Sequence, residues 1–193
     1  MKQALLSILI LFAFTVNAQK SLPDQKLLKK YNKAIAEFNR QNDSTTADFY
    51  FKRGGIRQDF LDNTKAITDY DKSLQMDPNN ATAYYNRGLA KLDLILLDEA
   101  IADFTKSLEI DPNQSHAYNN RGLCYYGLKD YAKAIKEYDM AITLYPRNGF
   151  AHNNRGIAKI KLGLVNEGCE DLHKALELGD SKSDKAIKKY CPK

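Results

Sequence analysis

Cys169 and His173 stand four residues apart, a spacing that brings a sulfur and an imidazole nitrogen to one helix, and Cys191 adds a second thiol near the C-terminus. Such a set can ligate zinc, but a closed tetrahedral site needs a fourth ligand and none is apparent, so no metal and no other cofactor is expected. Cys124 stands alone and reads as a small buried apolar residue, not a nucleophile. Phosphate-cradling loops, a Gly-x-Ser-x-Gly elbow and a His-Glu-x-x-His zinc helix are all missing. The many Asp and Glu pairs three or four residues apart read as solvated helix faces. Catalysis is not expected.

The elements that would position any site follow from a period. Pro78, Pro112 and Pro146 are 34 residues apart, and so are the Arg-Gly pairs at Arg53, Arg87, Arg121 and Arg155. Two independent markers on one period define four units, 47–80, 81–114, 115–148 and 149–182. Within a unit, Tyr84, Gly88 and Leu92, and then Ala100, Ile101, Phe104 and Leu108, recur at spacings of three and four, the signature of two helices with one apolar stripe each. Gly54, Gly88, Gly122 and Gly156 sit inside the first helix, where glycine costs about 1 kcal/mol relative to alanine. Close approach of the paired helix supplies the reason, with Ala66, Ala100 and Ala134 as the facing small residues and Tyr70, Phe104 and Tyr138 filling the space beside them. The prolines end each second helix, since proline donates no helical hydrogen bond.

This pattern resembles the tetratricopeptide repeat: a small residue on the first helix, Ala-x3-aromatic on the second, and a closing proline. Tyr50, Tyr84, Tyr118 and His152 stand where that family usually has tryptophan. The resemblance covers about 136 residues (four units of 34) and implies an all-α, right-handed solenoid of antiparallel helix hairpins. The last unit departs from it, with Gly168 for the alanine, Leu172 for the aromatic and Gly179-Asp180 for the proline, as terminal repeats do. Gly179 is expected to end the helix in a left-handed cap, and residues 183–193 to form a capping helix. Tyr31, Ala34, Ile35 and Phe38 match Tyr131, Ala134, Ile135 and Tyr138 in type, so 19–46 is expected to hold a half repeat, one helix from about Asp24 to Gln41.

The resemblance also assigns roles. Cys169 takes the place of Ile67, Ile101 and Ile135, which in this family face the next helix along the stack, here the cap that ends in Cys191. A Cys169–Cys191 disulfide is therefore the preferred reading, with a metal site as the alternative. His173 aligns with Asp71, Thr105 and Asp139, positions read as exposed on the far side of the stripe. The first helices build a concave inner wall, the default binding surface, and Phe51, Tyr85, Asn86, Asn119, Asn120, Tyr126, Asn153 and Asn154 point there. Asparagine amides suit an extended peptide backbone and the aromatics offer stacking area. Asn-Arg-Gly recurs three times, so those asparagines serve either ligand binding or hairpin packing. Repeats that clamp a chaperone's C-terminal carboxylate use lysines and an arginine on this wall, whereas this chain has Phe51, Tyr85 and Asn119. Chaperone-tail binding is not implied.

Lys2, an apolar run from Ala4 to Val16, and Val16-Asn17-Ala18 before Gln19 have the three parts of a signal peptide, with cleavage expected after Ala18. No cysteine lies at the cut to take a lipid, and the run is shorter than the roughly 20 residues of a spanning helix, so no membrane insertion is expected after cleavage. The formal charge of +5 is a mild, spread-out basic excess, which argues against a nucleic-acid partner. The expectation is a monomeric scaffold or adaptor, periplasmic or secreted, that binds a protein or peptide and has no enzymatic activity. The alternatives are a self-associating component of a cell-envelope assembly and a glycan-binding accessory protein.

Overall fold

The computed structural model describes residues 25–42 and 45–191. The expected signal segment, 1–18, lies outside the described residues. Ten α-helices and no strand occur among them. Helix α1, Gln25–Gln41, belongs to a separate compact unit, 1–43, and carries local contacts such as Arg40 to Glu37 at 2.8 Å. The second unit, 44–193, holds the hairpins: α2 (Ala47–Asp59) with α3 (Asn63–Met76), α4 (Ala81–Asp93) with α5 (Leu97–Ile110), α6 (Ser115–Gly127) with α7 (Tyr131–Leu144), and α8 (Gly149–Lys161) with α9 (Val165–Glu177). A single helix, α10 (Lys182–Tyr190), closes the C-terminal end against α9 and α8. These pairs stack in chain order into a right-handed α-solenoid.

Local chemistry sets the boundaries. Thr46, Asn80 and Asn148 accept from the backbone N–H three residues on, at 3.1, 2.9 and 3.1 Å, and so cap the first helices. Asp62 and Asp130 do the same for second helices. After α3 and α5 the chain turns through Asp-Pro-Asn, where Asp77 and Asp111 accept from the N–H of Asn79 and Asn113 at 3.2 and 3.1 Å. Proline follows because no helical donor is needed there.

The core is a column of small residues and rings. Ala66, Tyr70, Ala100, Phe104, Ala134 and Tyr138 are fully buried on the second helices, and Ala83, Ala117 and Ala151 on the first. Each fully buried aromatic or aliphatic side chain contributes on the order of 2 kcal/mol. The glycines face rings, not the alanines: a Cβ on Gly54, Gly88 or Gly122 would come within 2.7, 2.9 or 2.6 Å of Tyr70, Phe104 or Tyr138. In the last hairpin the ring is absent and the backbones themselves meet, a Cβ on Gly156 lying 2.7 Å from the Gly168 carbonyl oxygen. Gly168 and Leu172 thus replace alanine and aromatic as one coordinated change.

The turn inside each hairpin requires a left-handed residue. Leu61, Ile95 and Lys129 take it with φ of 63°, 62° and 63°, and Gly163 with 91°. Only the fourth is a residue suited to the conformation, which costs an ordinary L-residue about 1–2 kcal/mol. Ile95 is 77% exposed, so almost no packing is lost on truncation. Ile95→Gly is expected to stabilise the fold by about 0.5–1 kcal/mol after the entropy gained by the unfolded chain is subtracted. Urea unfolding would show a higher midpoint with an unchanged slope.

Candidate functional site

The first helices α2, α4, α6 and α8 lie side by side, each touching the next, and form one wall of the solenoid. On it the asparagines bond to one another. Asn120 donates to the Tyr85 hydroxyl at 3.0 Å, Asn119 to the Asn120 carbonyl oxygen at 3.4 Å, and Asn154 to the Asn119 carbonyl oxygen at 3.1 Å. Asn86 is half-buried on the same wall. A chain of amides therefore crosses from unit to unit, each held in one orientation. Asn153 departs from the expectation of an open wall: it is buried beneath α10, with its carbonyl oxygen 3.1 Å from the Ser183 hydroxyl. Phe51, Tyr85 and Tyr126 are half-buried, not exposed, with ring centroids 6.0, 5.8 and 5.3 Å from Tyr70, Phe104 and Tyr131. Burial pushes the Tyr85 phenol above its ordinary range, so it acts as a neutral donor or acceptor.

Sequence reasoning missed the ion pairs between the helices. The arginine of each Arg-Gly pair reaches 16 residues forward to an acid on its own second helix: Arg53 to Asp69, Arg87 to Asp103, Arg121 to Glu137 and Arg155 to Asp171, each through Nε at 2.8–2.9 Å. Arg87, Arg121 and Arg155 also reach 16 residues back, to Asp71 (2.6 Å), Thr105 (3.0 Å) and Asp139 (2.7 Å) of the preceding unit. The carboxylates of Asp69, Asp103 and Asp171 are buried, so they are not the solvated helix faces that carboxylate spacing suggested. Asp71 and Asp139, read as far-side positions, are inter-unit acceptors. The signal available was the period of 34 in Asp69, Asp103, Glu137 and Asp171.

A second cation supports three of the four bridges: Arg57 to Asp69, Lys91 to Asp103 and Lys159 to Asp171, at 2.9, 2.9 and 2.7 Å. Tyr125 occupies that place in the third unit. Titration follows the difference. Burial pushes the Asp171 carboxyl up, but hydrogen bonds and charge from Arg155 and Lys159 outweigh it and hold the group below the ordinary range. Burial of Glu137, opposed by Arg121 alone, leaves its carboxyl raised.

Cys169 and Cys191 are joined by a disulfide with their Cα atoms 5.7 Å apart, tying α10 to α9. His173 has its Nδ1 2.7 Å from the Cys169 carbonyl oxygen. Among the described residues no group of three metal-ligating side chains converges. Cys124 is fully buried where Ala90 and Ala158 stand in neighbouring units, and burial pushes its thiol up to about 12. His152 is buried, with Nε2 3.1 Å from the Pro146 carbonyl oxygen.

Family models match this chain at residues 81–114 and 115–148 as tetratricopeptide repeat and at 62–94 as TPR repeat. The chain is a tetratricopeptide-repeat protein. Solved tetratricopeptide folds superpose on it. A crystal structure of MamA is 26% identical, with a TM-score of 0.73 over 85% of this chain and 98% of that one. The Arabidopsis OM64 TPR domain is 27% identical, with a TM-score of 0.58 over 60% and 95%. The first TPR of Spaghetti (RPAP3), bound to the HSP90 peptide SRMEEVD, is 27% identical, with a TM-score of 0.56 over 59% and 92%. A search of curated proteins gave no match. The tetratricopeptide-repeat fold supports a protein-interaction scaffold, and the family is generally non-catalytic.

Proposed function

We propose that this protein is an exported adaptor that holds an extended protein segment along the wall of its first helices. The observation that carries the reading is the chain of amides from Tyr85 through Asn120 and Asn119 to Asn154. An asparagine amide offers two donor hydrogens and two acceptor lone pairs, so each keeps capacity after its neighbour is served. Amides already fixed in place bind a backbone without the entropic cost of ordering them. The RPAP3 relative, seen with a bound peptide, supports a peptide as ligand class. Neutral Tyr85 and Asn119 on this wall favour an uncharged backbone over a carboxylate terminus.

Export is supported by the signal-like segment ending at Ala18 and by the disulfide, which persists in an oxidising compartment. No helix among the described residues is long and apolar enough to cross a membrane. The mature protein is expected to begin at Gln19 and to be monomeric, which N-terminal sequencing and light scattering would read. The partner test is capture from a cell-envelope extract. Tyr85→Ala combined with Asn119→Ala is expected to release the captured protein, and retention at wild-type levels would refute the assignment of this wall.

A further inference from the structure

The loops that lead from one unit to the next also repeat, and one of them departs from the pattern. Asp77-Pro78-Asn79 and Asp111-Pro112-Asn113 each close with an aspartate that accepts from the asparagine N–H, at 3.2 and 3.1 Å. The third loop reads Tyr145-Pro146-Arg147, so the carboxylate that closes the turn is gone. A little further on, Phe150 stands where the two preceding units have Thr82 and His116. Tyr145 is 51% exposed and Phe150 61%, so neither ring is spent on the core.

The three changes meet in one place. Tyr145, Arg147 and Phe150 share a cleft of about 460 Å³ with Leu178, Asp180 and Lys182, between the start of α8 and the loop entering α10. That volume falls within the roughly 300–1,000 Å³ of ligand pockets. With Tyr145, Arg147, Phe150 and Lys182 all exposed, the cleft is open along its rim and can admit a passing segment. The side chains of Arg147 and Lys182 make no ion pair among the described residues, whereas Lys65 and Lys133, near other helix starts, bind Asp62 and Asp130 at 2.9 Å. Asp180 pairs with neither cation. It is 7% exposed, and its carboxylate serves the start of α10, accepting from the Lys182 backbone N–H at 3.3 Å and from the Ser183 hydroxyl at 3.0 Å. Helix α8 begins at Gly149, also in the lining, so the positive end of its dipole adds to the two cations.

We infer that this cleft binds a peptide segment in which an acidic side chain stands beside an aromatic one, the ring against Tyr145 and Phe150 and the carboxylate meeting Arg147 and Lys182. Ring-on-ring contact and a charge-assisted hydrogen bond are the interactions that these four side chains offer and that the fold leaves unused. None of Tyr85, Asn119, Asn120 or Asn154 lines the cleft, so it is separate from the wall of amides and does not rest on the groove reading.

The probe is N-acetyl-L-glutamyl-L-phenylalanine amide, titrated into 15N-labelled protein with the amide signals of Gly149, Phe150 and Ser181 followed. Saturating shifts at these residues are expected. The glutamine analogue of the probe should bind at least threefold more weakly, and the analogue with alanine for phenylalanine should give no saturation. Arg147→Gln should weaken binding roughly two- to fivefold, the range of one exposed ion pair, and Phe150→Thr about two- to tenfold. Tyr145→Asp combined with Arg147→Asn rebuilds the loop of the first two units, and should abolish saturation while the melting temperature holds or rises. Absence of saturable shifts, equal affinity for the glutamine analogue, wild-type affinity in the rebuilt-loop variant, or tighter binding of N-acetyl-L-alanyl-L-phenylalanine with a free C-terminus would each overturn the site. Tyr85→Ala combined with Asn119→Ala should leave the titration unchanged, so this cleft and the groove can fail independently.

Discussion

Asp171→Ala is expected to destabilise the protein by about 3 kcal/mol, because it leaves Arg155 and Lys159 without their shared buried carboxylate. For a chain of this size that is a fall of roughly 6–12 °C in melting temperature. Asp139→Ala removes the same arginine's other partner, but that carboxylate is 51% exposed, and the cost should stay below about 1 kcal/mol. The contrast tests burial, since both acids sit 16 residues from Arg155. A pH series adds an independent reading. The folded Asp171 carboxyl is held below its ordinary value, so its contribution is complete above about pH 4 and is lost as pH falls through the folded value. The gap between wild type and Asp171→Ala in urea titrations should be constant at neutral pH and narrow in acid.

Opening the Cys169–Cys191 disulfide, by reduction or by Cys191→Ser, is expected to cost about 3 kcal/mol, the chain-entropy value for a closed loop of this separation, 22 residues. The loss should be local. Each unit of a solenoid contacts only its neighbours, so the cap and the last hairpin take most of the effect. Hydrogen exchange should accelerate across α10 and the start of α8, where Ser183 covers Asn153, and change little in α2 to α5.

Much of the fold was legible because its determinants repeat. Proline, glycine and aromatic positions return every 34 residues, and one period read four times fixes the hairpins without any long-range information. The arginine bridges were not read, although Asp69, Asp103, Glu137 and Asp171 carry the same period. Acidic residues are common on helices, and a partner 16 positions away becomes a neighbour only once two helices are paired. The left-handed turns at Leu61, Ile95 and Lys129 ran against residue preference, so chain type pointed away from them. On the wall, the residue types Tyr85, Asn119, Asn120 and Asn154 were visible, but their mutual bonds span one repeat plus one residue, an offset with no local signature. Tyr126 was legible as an aromatic, but the buried, unpartnered hydroxyl of Tyr138 was not.

The backward reach of the arginines makes the stack a spring of unequal coils. Arg87 and Arg155 grip a carboxylate of the preceding unit, whereas Arg121 grips only the Thr105 hydroxyl and lacks a helper cation on its own Glu137. Of these three backward ties, the one between the second and third units is the one made to an uncharged acceptor. Flexing of the solenoid is therefore expected to centre there, between the second and third units.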